Sequence, residues 1–194
     1  MMNKATLINA IALTNRGILA NQSQRQSIGS AIAQLEDLNP TPRPLEATQL
    51  LNGNWRLLYT TSSGLLNLDR LPLFKVGQIY QCIRVETASV YNIAEIYGLP
   101  LIEGLVSVTA KFEPISERRV QVKFKRSIIG LKNLIGYTNP ENFIQQIQAG
   151  KKFTAIDFPI KSDQQQGWLD TTYIDNDLRI GRGNEGSVFV LTKA

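Results

Sequence analysis

At Gly53 the apolar pattern of this 194-residue chain changes period, and that switch limits its possible folds more than any other feature. Before it, apolar residues recur at helical intervals; after it they alternate. Trp55, Leu57 and Tyr59 alternate with Arg56, Leu58 and Thr60, and Val120, Val122 and Phe124 alternate with Gln121, Lys123 and Lys125. Successive strand side chains point to opposite faces, so such runs bury one face and wet the other. Similar segments cover 78–86, 90–96, 105–112, 153–158, 168–174, 178–182 and 187–191. Turn residues separate several of them, at 114–119, at Asp175-Asn176 and at 183–186. Eight or nine short strands with tight turns read as an antiparallel barrel or sandwich.

The first 52 residues read as a helical segment and 53–194 as the β domain. Leu7, Ile8, Ile11 and Ala12 sit at helical spacing over 4–16, with Gly17 as a stop. Ser23 and Gln26 form an expected capping box for a second helix whose apolar face is Ile28, Ile32, Leu35 and Leu38. Pro40, Pro42 and Pro44 end that helix, because proline cannot continue it. A short helix over 45–51 is then possible. Inside the β region one helix interrupts: Asn139 as cap, Pro140 at the first position, then Phe143, Ile144 and Ile147, with Gly150 after.

Composition removes several chemistries. Cys82 is the single cysteine, so no intramolecular disulfide forms, and its mid-strand position reads as a small buried hydrophobe. There is no histidine, which removes the commonest general base and metal ligand. No phosphate-cradling loop is present either. The chain carries a net charge of +5. Arg118, Arg119, Lys123, Lys125, Arg126 and Lys132 follow one another with no acid between them. Such a patch suits nucleic acid, an anionic membrane surface or an acidic partner, or is simply the solvated face of a strand. No apolar run approaches the ~20 residues that a spanning helix needs, and the N-terminus lacks a signal-peptide pattern.

Two motifs at opposite ends of the β region carry a resemblance. One is Gly53-Asn54-Trp55-Arg56-Leu57-Leu58-Tyr59-Thr60-Thr61-Ser62. The other is the run from Gly167 to Gly183, which sets Asp170, Asp175, Asp177, Arg179 and Arg182 among alternating apolar residues. Together they resemble the plastid-lipid-associated protein family, the fibrillins, over roughly residues 39–193. The resemblance implies a lipocalin-like antiparallel barrel of about eight strands with N-terminal helices outside it. It also implies a non-enzymatic protein that binds or shields carotenoids, quinones or acyl lipids at photosynthetic membranes or lipid globules. Neither a cofactor nor a nucleic-acid partner belongs to that expectation. With no leader segment read, it further implies a cyanobacterial member, cytoplasmic and peripheral on a thylakoid membrane or lipid globule.

Several residues follow as site candidates. In the lipocalin-like pattern a Gly-x-Trp opens the first strand, and the tryptophan plugs the closed end beneath a late arginine; Trp55 matches, with Arg179 or Arg182 as partner. A cation over the indole adds about 0.5–2 kcal/mol. The family's C-terminal aspartate, associated with holding hydrophobic molecules, falls at Asp170 or Asp175. From the residues alone these acids read rather as ion-paired or as turn caps than as catalytic carboxylates. Tyr59 and Tyr173 are further cavity candidates. An apolar stretch over 64–74, including Leu65, Leu66 and Phe74, is expected to lie over the barrel mouth, and shows no strand period. A second, over 128–136, follows the basic patch. Lys123, Lys125, Arg126 and Lys132 with Leu131, Leu134 and Ile135 therefore form a candidate membrane-contact surface. Two rivals stand beside the binding reading: a lipocalin-like bilin lyase acting on an open-chain tetrapyrrole, and a lipid-coat protein with a filled core.

Overall fold

The computed structural model describes residues 4–67, 74–98, 102–161 and 166–194. Three helices lead in: α1 (Lys4–Ala12), α2 (Gln22–Asp37) and α3 (Thr48–Leu51). Then come β1 (Gly53–Thr60), α4 (Ser63–Asn67), β2 (Lys75–Arg84), β3 (Ser89–Tyr97), β4 (Glu103–Pro114) and β5 (Arg119–Leu131). The chain continues through α5 (Lys132–Ile135), α6 (Pro140–Gln148), β6 (Ile156–Pro159), β7 (Gln166–Ile174), β8 (Leu178–Gly183) and β9 (Val188–Lys193).

Strands β1 to β5 pair in sequence, β5 pairs with β7, and β7, β8 and β9 continue back to β1, all antiparallel. The result is a closed eight-stranded barrel, one of the two architectures that the alternation allows and the one that the family resemblance implies, with no free edge around the ring. β6 is a ninth strand placed further along β5, where Ile156 faces Ile129. β6 and β7 thus occupy one lane beside β5. Three steps along β5, from Lys123 to Arg126, correspond to seven along the facing chain, from Pro159 to Gln166.

Helix caps follow local chemistry. The capping box of α2 lies two residues earlier than the Ser23–Gln26 expectation: Asn21 accepts from the Gln24 backbone N–H at 2.8 Å, and the Gln24 side chain accepts from the Asn21 N–H at 2.9 Å. α6 begins as read, with Asn139 Oδ1 accepting from the Asn142 N–H at 2.9 Å and Pro140 at its first turn. The apolar stretch 128–136 is not a loop, because β5 runs through to Leu131 and α5 follows. Gly17, the expected stop, has φ +105°, and a Cβ there would lie 2.6 Å from the Thr60 carbonyl oxygen. Only glycine allows the chain leaving α1 to lie so close to β1.

Three apolar clusters hold the molecule together. The first fills part of the barrel, with Trp55, Leu57, Ile79, Ile83, Ile174 and Leu191 among its members. The second joins Leu7, Ile11, Ile28 and Ile32 of α1 and α2 to the outer faces of β1 and β7–β9 through Tyr59, Tyr173, Ile180 and Val190. The third sets Ile135, Phe143 and Ile144 of α5 and α6 against Cys82, Tyr91, Ile93, Leu105 and Ile128 on the outside of β2–β5. Strands covered by helices on their outer face must be apolar on both sides, which blurs period-two alternation in the sequence.

β-Bulges decide which face several residues take. Register slips between Leu57 and Tyr59 in β1, and between Thr171 and Tyr173 in β7. An extra residue in one strand reverses the parity of everything beyond it. Leu57 therefore faces inward while Tyr59 turns out to the helices, and Tyr173 turns out while Ile174 turns in.

Candidate functional site

One end of the barrel is sealed. Residues 39–52 pass beneath it, tied by the Leu45 N–H to the Glu117 carbonyl (3.3 Å) and the Thr41 hydroxyl to the Ile174 carbonyl (2.9 Å). Asn52 Oδ1 also accepts from the Val85 N–H at 3.1 Å. At this end Trp55 is wholly buried and donates its indole N–H to the Leu51 carbonyl at 2.9 Å. Two cations flank the ring: the Arg179 guanidinium at 5.2 Å from its centroid and the Lys193 ammonium at 4.4 Å. Lys193 reaches there by donating to the carbonyls of Leu50 and Asn52. Gly53, at φ +128°, lets the chain enter β1 against the Lys193 stem. Of the two late arginines it is Arg179 that meets Trp55. Arg182 points outward and forms a paired contact with Glu36 of α2 (2.8 and 2.7 Å).

Above this floor lies a cavity of about 1030 Å³, which matches the upper range of small-molecule pockets. Its walls are mostly apolar, with Leu57, Ile79, Ile83, Val122, Phe124 and Phe189 prominent. The lining extends to Ser62, Leu65, Phe158 and Lys161. These belong to the end where β1 leaves, β6 enters and the long connections lie. Polar residues of the lining include Ser127, Thr171, Asn184 and Ser187, and one connected group of three, Arg179, Gln81 and Asn92. Arg179 Nη2 donates to Gln81 Oε1, and Gln81 Nε2 donates to Asn92 Oδ1 at 3.1 Å. Burial pulls the Arg179 guanidinium down to about 9, so it remains charged at neutral pH.

The candidate residues separate cleanly. Arg179 and Leu65 line the cavity, and Trp55 supports its floor from beneath. Phe74 is 41% exposed, beside Gly98. The Leu66 side chain and residues 68–73 of the expected mouth loop lie outside the described residues. Tyr59 and Tyr173 are not in the cavity, because the two bulges turn them under α1 and α2. Asp170 lies on the outer face of β7, paired with Arg119 directly across the strands (2.6 and 2.8 Å), whose guanidinium covers Trp168 at 4.1 Å. Asp175 caps the β7–β8 turn: Oδ1 accepts from the Asp177 and Leu178 N–H groups (2.8 Å each), while Oδ2 accepts from the Tyr173 hydroxyl (2.7 Å) and meets Lys4 (2.7 Å). Burial alone would raise its carboxyl, but Lys4, Tyr173 and the two backbone donors outweigh that and hold it at about 2. Neither aspartate reaches the cavity.

The candidate membrane patch is also redistributed. Lys132 is drawn in beside Glu95 (3.5 Å) and Glu103 (3.2 Å), over the Tyr97 ring. Arg126 grips Asp157 (2.7 and 2.6 Å), and Lys123 meets Glu113 at 3.0 Å. Lys125 is exposed, whereas Ile135 is fully buried under α6. Leu134 (55% exposed) and Leu131 stand at the mouth, close in the fold to exposed Ile129, Ile156 and Phe158 on paired strands. Sequence reasoning missed Gln81 and Asn92. The signal for them was a polar residue at inward parity, between Ile79 and Ile83 and between Val90 and Ala94. Among the described residues no group of His, Cys, Asp and Glu is placed to hold a metal ion.

A closed antiparallel barrel, plugged by tryptophan at one end and hollow above it, belongs to the lipocalin-like class. The family model PAP_fibrillin matches residues 1–192. The "Light-induced protein, chloroplastic" of Solanum tuberosum is 40% identical over 98% of this chain and 66% of its own length. The "Probable plastid-lipid-associated protein 2, chloroplastic" of Arabidopsis thaliana is 38% identical over 98% of this chain and 70% of its own. The "Chromoplast-specific carotenoid-associated protein, chromoplastic" of Cucumis sativus is 38% identical over 98% and 67%. The chain thus spans about two thirds of the length of these relatives. No solved structure matches it significantly. This chain belongs to the plastid-lipid-associated, or PAP_fibrillin, family. The expectation of a cytoplasmic location is overturned by these relatives, which are named as chloroplastic or chromoplastic proteins; all three come from plants and give a cyanobacterial origin no support.

Proposed function

We propose that the protein binds and shields a lipophilic small molecule, without catalysis, where plastid lipid surfaces present it. The observation that carries this reading is the cavity of about 1030 Å³, apolar along its walls and enclosed by the ring of eight strands. A packed core would have excluded a ligand, and a barrel of this strand number leaves room for one. The names of the relatives, which include plastid-lipid-associated and carotenoid-associated proteins, supply the class of cargo: a carotenoid, a quinone or an acyl lipid. Contact with the lipid surface falls to the mouth, where Leu131, Leu134, Ile156 and Phe158 expose apolar area beside Lys125 and Lys161. That composition suits a shallow interfacial contact.

Lipid extraction and mass spectrometry of protein purified from its native host test the reading directly. A stoichiometric lipophile is expected. Delipidated protein should bind carotenoid, quinone and acyl-lipid probes saturably, with quenching of tryptophan fluorescence. Recovery of no lipophile, together with no binding of any of the three at high micromolar concentration, would refute it.

A further inference from the structure

Arg179 brings a charge into the barrel, and among the described residues no anion meets it. The residue is 1% exposed. Its Nη2 is occupied by a neutral amide oxygen, and its Nε–H is buried with no partner at all. Among the described residues no carboxylate forms an ion pair with it; the nearest charged neighbour across Trp55 is another cation, Lys193. Arg182, three residues on, shows the contrast, since it is matched by Glu36. Buried charges are ordinarily paired, and an unpaired one is costly. The amides beside it do not supply the missing charge. Each amide oxygen of the relay accepts one hydrogen bond, Gln81 Oε1 from Arg179 and Asn92 Oδ1 from Gln81, and both are neutral.

We propose that Arg179, with Asn92 beside it, is the head-group subsite of the cavity, and that the cargo is a single-chain lipophile ending in a carboxylate. This deepens the binding reading above and rests on it. One guanidinium neutralises one carboxylate, and a charge-assisted hydrogen bond from Nε satisfies the orphaned donor. A phosphate dianion would leave excess negative charge buried. A hydrocarbon would leave Arg179 as it is, and a quinone carbonyl would satisfy the hydrogen bond but not the charge. With the head at Arg179 the chain lies along Leu57, Ile79, Phe124 and Phe189 towards the mouth.

The test is a fluorescence titration of the whole delipidated chain with cis-parinaric acid, with its methyl ester, and with a long-chain alkyl phosphate as competitor. The acid should bind at least about tenfold more tightly than the ester, the scale of a charge-assisted hydrogen bond. In Arg179→Met, which keeps the stem and removes the charge, the preference should collapse while ester binding persists. Equal binding of acid and ester to the unmodified protein, or an undiminished preference in the variant, overturns the subsite but leaves the binding reading standing. Tighter binding of the alkyl phosphate overturns the carboxylate assignment. Failure of every one of these probes to bind overturns the single-chain cargo, and the binding reading itself falls only if carotenoid and quinone probes also fail. Should the methionine variant not fold, NMR of ¹⁵N-arginine-labelled protein decides instead: the buried Nε–H resonance should move with the acid and stay still with the ester, and no movement with the acid overturns the proposal.

Discussion

Replacing Trp55 by alanine tests the sealed end of the barrel, and the structure sets the size of the effect. The indole is wholly buried, so losing it removes roughly 150–200 Å² of apolar contact, or about 4–5 kcal/mol of transfer free energy. The hydrogen bond to the Leu51 carbonyl goes too, about 1 kcal/mol, and so do two cation–π contacts of about 0.5–1 kcal/mol each. Partial collapse of the site and water reaching the Leu51 carbonyl and Lys193 offset some of this. The expected loss is therefore about 4–5 kcal/mol, the upper part of the range for large-to-small changes at buried aromatics. Urea unfolding followed by far-UV circular dichroism reads it as a midpoint lowered by about 2 M. Trp55→Phe should lose only about 1–2 kcal/mol, because a six-membered ring stays while the pyrrole ring and its N–H go. Trp168→Ala is the control: its ring lies under Arg119 and is only half-buried, so its loss should move the midpoint far less. If Trp55→Ala costs under about 1.5 kcal/mol, or no more than Trp168→Ala, the assignment of Trp55 as the plug is wrong.

Three further outcomes follow from particular groups. The Asp175 carboxyl is held at about 2, below its unfolded value, so its contribution is complete above about pH 4 and is lost as pH falls towards 2. The stability difference between the unmodified protein and Asp175→Ala should shrink over that window, and a pH-independent difference would contradict the assigned contacts. Lys132→Glu should destabilise by about 2–3 kcal/mol, since it sets a third carboxylate beside Glu95 and Glu103, whereas Lys125→Glu should leave urea unfolding almost unchanged; equal effects would show Lys132 to be a surface cation. Burial pushes the Cys82 thiol up to about 12, so a thiol-specific disulfide reagent should react with it only on unfolding, and rapid labelling of the folded protein would count against its place under α6.

Alternation after Gly53, turn residues between runs and helical spacing before it were enough to indicate an antiparallel barrel or sandwich of eight or nine strands preceded by helices, because these are local properties of the chain; the choice of a barrel with helices outside it came from the family resemblance. The cap of α6 was legible as a local property too, but that of α2 was not: the Ser23–Gln26 box read from the sequence gives way to Asn21 and Gln24, because the same cap chemistry recurs two residues earlier and the entering backbone uses the first. The inner and outer faces were not legible throughout. Strict alternation places Trp55, Leu57 and Tyr59 on one side, and Thr171 and Tyr173 likewise. Two bulges, each one extra residue with no sequence mark of its own, send the tyrosines outward and bring Ile174 in. Ring closure requires such bends, so their positions depend on all eight strands at once.

Charge was divided in the same way. The sequence shows six basic residues without an intervening acid, yet their partners Glu95, Glu103, Glu113, Asp157 and Asp170 come from other strands, and folding neutralises most of the patch. It also shows two late arginines without distinguishing them. Strand parity after the β8 turn sends Arg182 to Glu36 and Arg179 into the barrel. The resemblance carried by the two end motifs implied that a late arginine would meet Trp55; only the closed ring, whose lining among the described residues includes no acid, left that arginine's charge unpaired beside a cavity.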